Sequence, residues 1–133
     1  MDEENKNSST GSIKQQEIEL IREISPEIIE ALKKIPGGNA GLIVIKGPIP
    51  GEKFIIKKSE FSIGRSPESD ILLDNITVSR QHAVIAKSGQ DYVLKDQGSL
   101  NGTYLNGEIV NEAVLSHSDK IQIGKYIFIF FCL

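Results

Sequence analysis

The stretch from Phe61 to Ala86, FSIGRSPESDILLDNITVSRQHAVIA, carries three short apolar runs: Phe61 to Ile63, Ile71 to Leu73 and His82 to Ala86. Gly, Pro, Ser, Asn and Asp separate them. Runs this short, rich in isoleucine and valine and bounded by turn residues, read as strands rather than helices. Working outward, the same pattern recurs at Leu42 to Ile45, Phe54 to Ile56, Tyr92 to Leu94, Ile121 to Ile123 and Tyr126 to Phe131. No helical period of ten or more residues falls between them, so the expected fold is all-β, an antiparallel sandwich and not a parallel sheet with crossover helices.

Upstream of Gly41 the pattern changes. Ile18, Ile21, Ile24, Ile28, Leu32 and Ile35 recur at helical spacing, and Pro26 divides the stretch into two short helices. Ser25 as N-cap and Pro26 at the first helical position start the second helix, and Pro36-Gly37-Gly38 stops it. Residues 1–12 are almost wholly polar and offer no apolar surface to offset the entropy of ordering. The sequence therefore predicts a disordered tail over 1–12, a helical segment and linker over 13–40, and one domain over 41–133. A chain of 133 residues with 39% apolar side chains suits one such core. The helical apolar stripe is expected to pack against the sandwich.

Charge excludes several classes of partner. The net charge of −3 resides in residues 1–40, which hold 5 basic and 8 acidic side chains against 10 of each in residues 41–133. A neutral domain without a basic stripe has no electrostatic footprint for nucleic acid or anionic lipid. Aromatic content of 6% without tryptophan gives no stacking platform for single strands. The acidic start is unlike a signal peptide, and the apolar run Tyr126 to Leu133 is too short to cross a bilayer. Cys132 is the single cysteine and cannot form an internal disulfide. A monomer in a reducing cytoplasm is the expectation.

Three polar clusters interrupt the strands: Gly64 with Arg65, then Ser79, Arg80 and His82, then Ser99, Asn101 and Gly102. Loops at one end of a sandwich converge, so these clusters can share a surface. An arginine fork, a serine hydroxyl and backbone N–H groups in a glycine-containing loop supply donors suited to a phosphate dianion. Asn101 offers a donor and an acceptor to the main chain of an extended peptide. The combination points to a phosphopeptide reader.

Enzymatic alternatives lack their parts. Ser79 and His82 have no G-x-S-x-G elbow around them, and no Walker loop, H-E-x-x-H or paired cysteine motif occurs. No metal site is expected at His82, because no second ligand lies at ligand spacing, and no cofactor is expected. The pairs Asn101-Gly102 and Asn106-Gly107 both signal tight turns, the first combined with function and the second a turn alone.

The order G-R, S-x-x-H, N-G, with strands between, resembles the forkhead-associated (FHA) domain over roughly Gly41 to Leu133. The resemblance implies that Arg65 and Ser79 bind phosphate, that Arg80 and Asn101 hold the peptide backbone, and that Ser99 and Leu100 line the same loop. It implies structural roles for Gly64, His82 and Gly102, and a preference for phosphothreonine. The stretches Asp70 to His82 and Gly98 to Asn106 further resemble the bacterial glycogen accumulation regulators and the related oxoglutarate dehydrogenase inhibitors. That group implies a Ser/Thr protein kinase as partner, 2-oxoglutarate dehydrogenase and glutamate dehydrogenase as targets, and a phosphorylated N-terminal threonine docking in cis. The threonine pair of that group, between glutamate and Val-Phe, is absent from this tail, where Thr10 stands within Ser8-Ser9-Thr10-Gly11-Ser12-Ile13. Thr10 is the phosphorylation candidate. A third expectation is an inhibitory subunit that binds folded enzymes without phosphate.

Overall fold

The computed structural model describes residues 39–132. The tail, Thr10 and nearly all of the helical segment and linker lie outside the described residues. Eleven strands follow one another: β1 Ala40–Lys46, β2 Lys53–Ile55, β3 Glu60–Gly64, β4 Ile71–Leu72, β5 Ala83–Ser88, β6 Asp91–Asp96, β7 Thr103–Leu105, β8 Glu108–Val110, β9 Glu112–Val114, β10 Lys120–Ile123 and β11 Tyr126–Cys132. Eight of these fall on the apolar runs. The three-residue strands β7, β8 and β9 do not, because each carries polar or charged side chains and is too short to display a period.

The strands form two sheets, one ordered β2-β1-β11-β10-β7-β8 and the other β4-β3-β5-β6-β9. Neighbours are antiparallel except β3 and β4, which pair in parallel over Ile63 with Ile71 and Gly64 with Leu72. Asp70 holds that crossover: its carboxylate accepts from the Ser62 N–H at 2.8 Å, and its own N–H donates to Ser62 Oγ at 3.0 Å. β7 and β8 form a hairpin around Asn106-Gly107, both at positive φ (52° and 86°), the geometry an Asn-Gly turn favours. The Asn101-Gly102 pair forms no hairpin and lies in the bends leading into β7.

Between the sheets lies one core. Leu42 and Val44 from β1, Ile121 and Ile123 from β10 and Phe128 and Phe130 from β11 meet Phe61, Ile63, Ile85 and Leu94 from the opposite sheet. The period of two along each strand selects these residues for the inner face. Fully burying each such side chain contributes about 1.5–3 kcal/mol. The result is a rigid frame whose loops at one end carry the polar clusters.

Candidate functional site at the loop end of the sandwich

The site begins where β3 ends. A Cβ on Gly64 would stand 2.2 Å from the Arg80 carbonyl oxygen and 3.2 Å from the His82 nitrogen. Only glycine lets the loop between β4 and β5 close onto β3 here. That approach allows backbone bonds from the Arg65 N–H to the Ser79 carbonyl (3.0 Å), from the Ser66 N–H to the Arg80 carbonyl (3.1 Å) and from the His82 N–H to the Ile63 carbonyl (3.1 Å). Arg65 and Ser79, 14 positions apart in sequence, thereby become neighbours.

Arg65 is fixed from behind. Its Nε donates to the Val78 carbonyl at 3.1 Å. The terminal guanidinium nitrogens make no hydrogen bond to another described residue, and the side chain is exposed. Ser79 is held similarly. Its Oγ accepts from the Leu100 N–H at 3.0 Å, which leaves the hydroxyl proton to donate. Arg65 is exposed and Ser79 half-buried, and each is held by a bond that leaves donor capacity over.

His82 is the buried clamp between loops, with no exposed surface. Its Nδ1 accepts from the Ser79 N–H at 3.0 Å, so the ring proton resides on Nε2, which donates to the Gly102 carbonyl at 2.9 Å. One imidazole therefore ties the β4–β5 loop to the β6–β7 loop. Asn101 adds a second tie through Nδ2 to the Thr77 carbonyl at 3.0 Å, leaving Oδ1 available.

Asp96, at the end of β6, organises the β6–β7 loop. Its carboxylate accepts from the N–H groups of Gly98 (3.0 Å) and Ser99 (3.1 Å), from Thr103 Oγ1 (2.7 Å) and from Ser99 Oγ. Burial pushes this carboxyl up, but the Ser99 and Thr103 hydroxyls together with the two backbone N–H groups outweigh it and hold the pKa below the usual value. Ser99 Oγ also accepts from the Gly102 N–H at 3.0 Å. Ser99 therefore donates its hydroxyl proton inside the loop and shapes it. Leu100 stands 89% exposed at the tip, and Arg80 is exposed beside Ser79 with no hydrogen bond or ion pair from its guanidinium to another described residue.

Sequence reasoning missed Asp96, Thr77 and Asn75. Thr77 is a hub: its N–H and its hydroxyl both donate to Asn75 Oδ1 (2.9 and 2.6 Å), its hydroxyl accepts from the Lys125 N–H (3.1 Å), and its carbonyl accepts from Asn101. The Asp-x-Gly-Ser run at 96–99 is an Asx-turn signal that could have revealed the first. Thr77 gave no signal, since its partners lie up to 48 positions away.

The chain is similar in sequence and fold to known proteins. Residues 61–124, from the first strand of the site to the turn beneath Thr77, match the FHA domain family. An oxoglutarate dehydrogenase inhibitor of Corynebacterium jeikeium is 44% identical over 118 residues, covering 89% of this chain and 80% of its own. The chain belongs to the FHA-domain family. The glycogen accumulation regulator GarA of Mycolicibacterium smegmatis is also 44% identical, over 77% of this chain, which spans 65% of that relative's length. Among solved structures, an FHA domain studied for phosphothreonine-dependent interactions superposes with a TM-score of 0.66 at 29% identity, over 71% of this chain and 97% of its own. As an FHA domain the chain is a binding module and not an enzyme. Among the described residues no three His, Cys, Asp or Glu side chains are grouped to hold a metal, and no helix is long and apolar enough to cross a membrane.

Proposed function

We propose that this FHA domain reads phosphothreonine in an extended peptide and, through that contact, regulates enzymes of 2-oxoglutarate and glutamate metabolism. The observation that carries the reading is the pairing of Arg65 with Ser79: a guanidinium anchored through Nε and a hydroxyl anchored through its lone pair, both with donor capacity left over. Such preoriented donors lose little entropy on meeting a phosphate dianion. Arg80 and the Asn101 Oδ1 would take the peptide main chain on either side, and Leu100 would rest against a neighbouring side chain. The partners of this reading are phosphothreonine proteins, a Ser/Thr kinase among them, and the domain acts as a monomer in the cytoplasm. The metabolic assignment is supported by relatives named as oxoglutarate dehydrogenase inhibitor and glycogen accumulation regulator.

Thr10 supplies the switch in this reading. Its phosphorylation adds close to two negative charges, and tethering raises the effective concentration to about the millimolar range, so the tail occupies the pocket in cis and closes it. A second reading, an inhibitory surface for folded enzymes that needs no phosphate, is favoured by Ile76 and Leu100, 92% and 89% exposed on the same two loops.

Titration with matched phosphothreonine, phosphoserine and unmodified peptides tests both. Arg65→Ala removes up to two charge-assisted bonds worth about 1.5–3 kcal/mol each and should abolish phosphopeptide binding. Equal binding of phosphorylated and unmodified peptides, or undiminished binding by Arg65→Ala, would overturn the phosphate reading. Enzyme inhibition that survives Arg65→Ala but is lost on Leu100→Ala would favour the second, whose energy lies in apolar anchors.

A further inference from the structure

The alternation along β1 and β11 leaves an unexplained apolar face. Leu42, Val44, Phe128 and Phe130 point between the sheets and belong to the core. Ile43 on β1 and Ile129 and Phe131 on β11 alternate with them and project from the opposite, outer face. In a two-layer sandwich that face meets water. Yet Ile43 and Phe131 are 0% exposed, Ile129 is 8% exposed, and the adjoining Ile45 is 4% exposed. All eleven described strands belong to the two sheets, so no third layer is present among the described elements.

We propose that the chain's own residues 18–35 cover this outer face. The segment directly precedes Asn39 and Ala40, where β1 begins, and Pro36-Gly37-Gly38 supplies the reversal that folds it back onto the sheet. Its apolar side chains, Ile18, Ile21, Ile24, Ile28, Leu32 and Ile35, fall on one side of a helical path. Its two helical pieces, divided at Pro26, together rise about 27 Å, close to the roughly 23 Å run of β1. Charge agrees with the match. Lys53 lies opposite Ile43 and Lys120 opposite Ile129, so both flank the apolar stripe on its outer face, while the segment carries Glu19, Glu23, Glu27 and Glu30 against Arg22, Lys33 and Lys34, a net charge of −1.

The docking has a direction. β1 enters at the end remote from Arg65 and runs toward it, since Ala40 lies opposite Cys132 whereas Lys46 lies opposite Ile127, next to the turn bonded to Thr77. A segment folded back along β1 therefore carries residues 1–12 toward the phosphate-binding end, a consequence that rests on the proposed function, whereas the docking itself does not.

The test uses the full chain, isotope-labelled, with Ile28→Glu, Leu32→Glu and, as control on the opposite side of the helical path, Glu30→Gln. Docking predicts that both apolar-to-glutamate variants shift the amide resonances of Ile43, Ile129 and Phe131 and lower Tm by roughly 10 °C, while Glu30→Gln does neither and all variants keep their affinity for a phosphothreonine peptide supplied in trans. Unchanged resonances at those three positions in both Ile28→Glu and Leu32→Glu would overturn the proposal. So would wild-type resonances at the face that move on dilution, which would give the cover to a second copy of the chain.

Discussion

Asp96 contacts no ligand in the proposed reading, yet the β6–β7 loop is built on it. Four donors converge on its two oxygens, so the charged form is what the fold recognises. Asp96→Asn would turn an amide N–H₂ toward groups that are themselves donors, and should cost about 1–3 kcal/mol at neutral pH. The sign of the pH dependence follows from the lowered pKa. A carboxyl depressed in the folded state contributes stability that is complete above its unfolded value near 3.9 and lost as pH falls through the folded value. Asp70 behaves alike, lowered chiefly by the Lys58 ammonium and the Ser62 N–H. Thermal unfolding should thus show a constant wild-type advantage over Asp96→Asn from about pH 5 to 8 that shrinks below about pH 4. An advantage that persists undiminished at about pH 2 would refute this account.

At the scale of elements, the end of β3 is where a single missing methyl group decides the site. Gly64→Ala places a Cβ 2.2 Å from the Arg80 carbonyl oxygen, a backbone atom that can yield only by moving the β4–β5 loop. The expected outcome is a loss of about 1–3 kcal/mol in stability, as for other overpacked positions, with a weakened phosphopeptide affinity because Ser79 moves with Arg80. Calorimetric titration beside a melting curve would check both, and unchanged affinity would detach Gly64 from the site. Much of this was legible. The Gly-Arg pair after Phe61 to Ile63, and the serine three residues before His82, mark strand ends by residue type alone. The three strands β7 to β9 were not legible, since Thr103-Tyr104-Leu105, Glu108-Ile109-Val110 and Glu112-Ala113-Val114 are three residues each and owe their extended form to pairing partners. The inward turn of Ser99 was equally hidden: its hydroxyl is claimed by Asp96 and Gly102, contacts that only the closed loop creates.

For the whole molecule, the question is how two sheets keep one recognition surface in register when the donors arise from separate loops. The core fixes the distance between sheets and extends into the β4–β5 loop through Leu73 and Val78, but it does not by itself orient the polar donors. Thr77 bridges there: it lies between β4 and β5 of one sheet, its hydroxyl accepts from the N–H of Lys125 in the turn between β10 and β11 of the other, and its carbonyl accepts from Asn101 in the connection that crosses between them. Gly124 packs so closely on this brace that a Cβ would stand 2.4 Å from the Thr77 hydroxyl oxygen. Thr77→Val keeps the shape and removes the hydroxyl, leaving the Lys125 N–H and Asn75 Oδ1 without that partner. Since Lys125 is exposed and water can replace part of the loss, the expected destabilisation is about 1 kcal/mol. The effect on binding should exceed what that stability change implies, because Asn101 and Ser79 are both positioned through this loop. Comparing phosphopeptide affinities of Thr77→Val and Asn101→Ala singly and together measures the coupling. A brace that works through Asn101 gives a double variant no weaker than Asn101→Ala alone, whereas fully additive losses would show that Thr77 holds the sheets without positioning Asn101.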